Sequence, residues 1–128
     1  MSNYTLKNVS EVTDMAADFG LSELGEARFL NNELGLEKTG GAYHRLKPGK
    51  RQGFGHRHEE AEEVHVVLSG SGKVRIEDEE LDLSPMDVVR IAPTAARRFE
   101  AGPEGLEYIV VGTRHEGDTE LLHDFWAG

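Results

Sequence analysis

The chain has 128 residues, of which 38% are hydrophobic and 15 are Gly. That length suits one domain with a core of its own and is too short for two ordinary ones. Lys and Arg number 14 against 24 Asp and Glu, a net charge of −10, and Cys is absent. So acidic a chain argues against nucleic-acid and anionic-membrane partners, and the missing Cys excludes disulfides, thiolate catalysis and Cys-ligated zinc or iron–sulfur centres.

The first 35 residues are mixed in character. Asp14–Phe19 reads as one short helical turn stopped by Gly20, and Arg28–Leu30 as a first strand. From residue 40 the pattern becomes regular. Gly40–Gly41 opens a strand over Ala42–Lys47, closed by Pro48–Gly49, and Gln52–His58 follows. Glu63–Leu68 is β-branched and alternating, and Ser69-Gly70-Ser71-Gly72 reads as a hairpin turn after it. Lys73–Ile76, Glu80–Leu83, Asp87–Ile91, Arg97–Glu100 and Glu107–Val111 complete the set, with Asp78–Glu79, Ser84–Pro85, Pro93–Thr94 and Gly102–Gly105 as the breaks. Strands at this cadence predict an antiparallel sandwich or barrel, and Gly at about 12% against the usual ~7% agrees with many tight turns. Phe99, Val89, Ile91 and Tyr108 read as core. The tail over 114–128 is polar until Leu121, Leu122, Phe125 and Trp126, which are expected to pack on the barrel or on a second subunit. The longest apolar run, Tyr108–Val111, is four residues, and Met1–Lys7 has no apolar signal core, so a cytoplasmic protein is the expectation.

Chemistry concentrates in His56-Arg57-His58 and Glu62-Glu63-Val64-His65. Alternate residues of a strand share a face, so His56 and His58 point together and their imidazoles can meet one ion. A carboxylate from the next strand would complete a facial set of two His and one carboxylate. Glu62 lies on the face of Val64, Val66 and Leu68, whereas Glu63 lies on the face of His65 and Val67. Periodicity does not say which face is interior, so both glutamates stand as candidates. On the same reasoning Gln52 and Phe54 share the His56 face and are candidate lining residues. Tyr43 or Arg45, beside His44 on the earlier strand, is a candidate for the pocket mouth. His115 and His123 read as surface residues. No Gly-x-Ser-x-Gly nucleophile elbow and no phosphate loop occur.

His56-x-His58-x4-Glu63-x6-Gly70 resembles the first conserved motif of the cupin superfamily. The leading Gly of that motif is offset by one residue, at Gly49. Pro85-Met86-Asp87 stands where the family has Pro-x-Gly, and Ile91-Ala92-Pro93 through Phe99 is similar to the stretch that ends in the family's third metal-binding His. Here that position is Arg97. A guanidinium is permanently cationic and offers no lone pair to a metal.

The resemblance implies an all-β double-stranded β-helix, or jelly-roll barrel. The single domain would span 1–128, with the motif-bearing barrel over about 40–112, a short irregular N-terminal arm over 1–35, a tail over 114–128 and a homodimer as the common assembly. It implies a divalent metal (Fe, Mn, Ni or Zn) on His56, His58 and Glu63, with His65 as a candidate replacement nitrogen. Arg97 would then either pair with Glu63 or hold an anionic ligand bidentately. Two functions follow. One is a metal-dependent enzyme of isomerase, hydrolase or dioxygenase type acting on a small polar or anionic substrate. The other is a non-catalytic module that binds a sugar or carboxylate without metal, anchored by Arg97.

Overall fold

The computed structural model describes residues 3–127. Its strands are β1 (Gly25–Phe29), β2 (Thr39–Leu46), β3 (Gly55–His58), β4 (Glu63–Ile76), β5 (Glu79–Leu83), β6 (Val88–Ile91), β7 (Arg97–Thr113) and β8 (Thr119–Leu122). One short helix, α1 (Asn31–Leu34), and 3₁₀ turns at Val9–Glu11 and Ala17–Phe19 precede the regular part. The turn expected over Asp14–Phe19 is therefore present, and Gly20 stops it in the left-handed conformation at φ 70°.

Two long strands organise the molecule. Every pairing is antiparallel, and β4 runs beside β7 along nearly its whole length. The early part of β4 also pairs with β6, and the late part with β5. On its other side β7 pairs with β2 through its late part and meets β3 through Arg97 opposite His56. The result is two half-sheets that share the β4–β7 ribbon, one ordered β6-β4-β7-β2-β1 and the other β5-β4-β7-β3-β8. They face each other: His65 on one lies 4.9 Å, ring to ring, from Phe99 on the other. This is the double-layered all-β barrel that the strand cadence predicts.

Two expected turns are bends inside continuous strands. Neither Ser69–Gly72 nor Gly102–Gly105 breaks the chain into separate strands; the ladder shifts register between Val67 and Ser69 and again between Gly70 and Gly72. Glycine makes this feasible. Gly70 sits at φ +83°, and a Cβ there would stand 2.1 Å from the carbonyl oxygen of Gly105. Such bulges bend a paired strand and increase its twist without ending it. A composition-based reading sees glycines and predicts a turn, whereas the ladder accommodates them as a corner.

The space between the half-sheets is filled by Leu46, Val67, Val74, Leu83, Ile91, Phe99, Ala101, Leu106 and Tyr108. Strand β8 was not expected. It lies along β3 and is tied there by Arg57 and Glu120, 3.0 Å apart. Beyond it, Phe125 occupies the space a Cβ at Gly55 would need, 2.8 Å away, and the Trp126 ring lies under the Arg51 guanidinium at 4.0 Å. The apolar tail thus packs on its own barrel. No helix among the described residues is long and apolar enough to cross a membrane.

Candidate metal centre and its cavity

The corner glycines lie at one end of the barrel, and the start of β4 lies at the other. There β3 brings His56 and His58 to one face, with ring centroids 5.1 Å apart. Glu63 enters from β4 on the facing half-sheet, with one carboxylate oxygen 3.9 Å from His56 Nε2 and the other 3.4 Å from His58 Nε2. One ligand atom from each of the three lies within 4.8 Å of the others. Glu62 points away, half exposed and paired with Arg90 at 3.0 Å. The polar face of β4 is therefore the interior one, which distinguishes Glu63 from Glu62.

His58 is held from behind by a residue the sequence gives no local sign of. Asp118, buried in the tail, accepts hydrogen bonds from the backbone N–H of Glu60 and Ala61 and lies 3.0 Å from His58 Nδ1. A carboxylate only accepts, so Nδ1 carries a proton, which leaves Nε2, facing Glu63, as the nitrogen able to ligate. That Nε2 is buried and has no hydrogen-bond partner, and neither has Glu63 Oε1.

The protonation states of His56 and Glu63 suit ligation. Burial disfavours charge on His58 as well, but the Glu63 and Asp118 carboxylates outweigh it and push its pKa above the ordinary value, so an ion there competes with a proton. Burial lowers the His56 pKa below its ordinary value, with Arg97 adding to the effect, so the ring is neutral at physiological pH. Burial works against ionisation of Glu63, but the facing imidazoles of His56 and His58 outweigh it and hold the carboxyl well below its usual range. Burial also pushes His65 down to about 3 and His44 down to about 4.

His65 is 2% exposed and lies tilted against Phe99 and Tyr108, which stack on each other. Its Nε2 lies 3.8 Å from Glu63 Oε1, so it backs the carboxylate. Arg97 is 0% exposed. It donates to the Ala92 carbonyl at 2.9 Å, and its Nη1 stands 4.0 Å from Glu63 Oε1, with no hydrogen-bond partner on Nε or Nη1.

A cavity of about 440 Å³ opens above this cluster. Gln52 and Phe54 line it; Tyr43 and Arg97 do not. Gln52 is pinned, its amide oxygen accepting from Phe99 N–H at 2.9 Å. Tyr43 faces the other side of β2, where its hydroxyl donates to Glu107, while its neighbour His44 faces the cavity and stacks on Tyr108 at 5.2 Å. His123 lies edge-on to Phe54, and half-exposed His115 pairs with Glu60.

The donor set fits a divalent ion. Two ligand atoms at ~2.1 Å from a common ion in a tetrahedral shell stand roughly 3.4 Å apart, the separation His58 and Glu63 already show. Two imidazoles and one carboxylate suit iron, manganese, nickel or zinc and leave positions open.

The cupin-domain family model matches residues 42–112. No curated protein sequence matches the chain. Among solved structures, a cupin protein from Bacteroides fragilis is 24% identical with a TM-score of 0.73, over 91% of this chain and 89% of its own. The plu4264 protein from Photorhabdus luminescens is 18% identical, with a TM-score of 0.65 and 91% of each chain covered. Oxalate decarboxylase from Bacillus subtilis is 27% identical with a TM-score of 0.74; it covers 94% of this chain, which spans only 34% of that longer one. The family match takes in more than half of the residues, and the paired half-sheets carry its first motif on β3 and β4: the chain belongs to the cupin domain family.

Proposed function

We propose that the cavity floor is a divalent-metal centre held by His56, His58 and Glu63, serving a small molecule that enters the cavity above it. The observation behind this reading is the convergence of one ligand atom from each of three residues, with His58 Nε2 and the carboxylate oxygen Glu63 Oε1 buried without hydrogen-bond partners. Leaving such groups unpaired is costly, and an ion would satisfy both. When bound, a divalent ion supplies a Lewis acid with open coordination positions. The chain's own residues do the rest: Asp118 fixes the His58 tautomer, buried His56 stays neutral, and Arg97 balances the Glu63 charge from behind. The likeness to oxalate decarboxylases supports an enzymatic role on a small anionic substrate.

A metal-free pocket has one observation in its favour, the approach of Arg97 to Glu63 at 4.0 Å. Against it, an anchor for a ligand must reach the cavity, and Arg97 is fully buried and does not line it.

Elemental analysis and titration with Mn²⁺, Fe²⁺, Ni²⁺ and Zn²⁺ test the proposal. About one ion per chain is expected, and the paired substitution His56→Ala with His58→Ala should abolish uptake while leaving the circular dichroism of the fold intact. Wild-type protein that takes up none of the four ions would refute the metal centre and favour the metal-free pocket.

A further inference from the structure

The floor of the cavity is polar, and much of its wall is apolar. Ala42 and Val110 form its buried sides, and Phe19, Phe29 and Leu121 stand at its rim, 58%, 44% and 49% exposed. Those three rim residues come from three separate segments: the second 3₁₀ turn, β1 and β8. Large apolar side chains gathered from distant parts of a chain around one opening mark a recognition surface.

Several of the polar side chains that also reach the cavity are engaged elsewhere, although His44 and Thr113 face it as well. Glu26 pairs with Arg28 at 2.7 Å, Asn31 accepts from Gly41 N–H at 2.9 Å, and Arg114 pairs with Glu116 at 2.8 Å. A sugar needs a partner for each buried hydroxyl, and these walls offer few. Unpartnered polar atoms gather instead at the floor: His58 Nε2, Glu63 Oε1, His65 Nδ1 and the Tyr108 hydroxyl. Size points the same way. The cavity of about 440 Å³ is roughly three times the ~150 Å³ that takes a benzene ring, so a two-carbon acid would leave most of it empty.

We infer that this cavity takes an amphipathic acid, with its carboxylate at the His56–His58–Glu63 floor and an apolar, ring-bearing body along Phe29, Phe54 and Leu121. The placement of the carboxylate rests on the metal reading above; the placement of the body rests on the walls alone. The head is common to many small acids, so selectivity resides in the body.

The test is calorimetric titration of metal-loaded protein with acetate, butyrate and 3-phenylpropionate, which share one head, with metal content measured on the same sample. Affinity should rise along that series, with 3-phenylpropionate binding at least about tenfold more tightly than acetate. Phe29→Ala, and separately Leu121→Ala, should weaken 3-phenylpropionate at least about threefold while leaving acetate binding, metal content and circular dichroism unchanged. Equal affinity for all three acids overturns the inference, as does undiminished 3-phenylpropionate binding in both folded variants. A sample that takes up no metal removes the metal centre instead. The same series on metal-free protein then decides the apolar body: a rise with size supports it and a flat series overturns it.

Discussion

At the corner end of the barrel, Val67 of β4 and Ala101 and Leu106 of β7 pack hydrocarbon against hydrocarbon, each at most 3% exposed. At the opposite end, on the same two long strands, His65 and Arg97 are as deeply buried, yet His65 Nδ1 and Arg97 Nε and Nη1 have no hydrogen-bond partner. One ribbon therefore carries a region that satisfies every rule of a stable core and a region that breaks them. Unpaired buried polar groups cost stability, so the difference is a division of labour: the corner end holds the barrel together, and the open end keeps donors and lone pairs free for something else.

The largest predicted effect falls on the corner end. Leu106→Ala removes a side chain that is 1% exposed in the main core cluster, and about 2–5 kcal/mol of stability should go with it. The thermal midpoint should fall, while metal uptake per folded molecule stays at the wild-type level. Loss of metal without loss of stability would show that the two ends are not separable.

Asp118→Asn probes the open end. The amide is uncharged and orients the His58 ring less firmly than the carboxylate. Metal affinity should drop about 10–100-fold, equivalent to roughly 1.4–2.8 kcal/mol, measured by competition against a chelator. Stability should change less, because the remaining side-chain oxygen can still accept from Glu60 or Ala61 N–H. An unchanged metal affinity would mean that Asp118 ties down the tail and nothing more.

How these regions were written in the sequence differs. The His56, His58 and Glu63 group was legible because strand geometry makes short spacings informative: two residues apart means one face. The choice of Glu63 over Glu62 needed the interior face, which local alternation does not contain. Asp118 was not legible, because 60 residues separate it from His58 and only the pairing of β8 with β3 joins them. Arg97 was legible as a position but not as an environment; the sequence places a cation in the third-ligand slot, and only the packing shows it behind Glu63 and off the cavity wall. The corner glycines misled because the same residue type serves a turn and a bulge.

Tyr43 supplies the smallest prediction and the clearest control. It was a candidate for the pocket mouth, but it sits on the other side of β2 in a polar cluster whose members are partnered: its hydroxyl donates to Glu107, which also accepts from Ser69 at 2.8 Å and lies 3.7 Å from Arg45. The Tyr43 hydrogen bond, with smaller help from Ser69 and Arg45, holds the Glu107 pKa below its ordinary 4.5. Burial, then the bond to Glu107, pushes Tyr43 up to about 12. The signs follow from linkage. Glu107 is lowered, so its contribution is present above pH 4.5 and disappears as pH falls below it. Tyr43 is raised, so its contribution is present below pH 10 and disappears as pH climbs toward 12. Glu107→Gln should therefore flatten the acid limb of a plot of thermal midpoint against pH, and Tyr43→Phe the alkaline limb, each by no more than about 1 kcal/mol. Neither variant should alter metal uptake, because neither residue lines the cavity. Unchanged slopes in both variants would show that partnering on this outer face adds nothing, and would remove it as the satisfied counterpart to the floor.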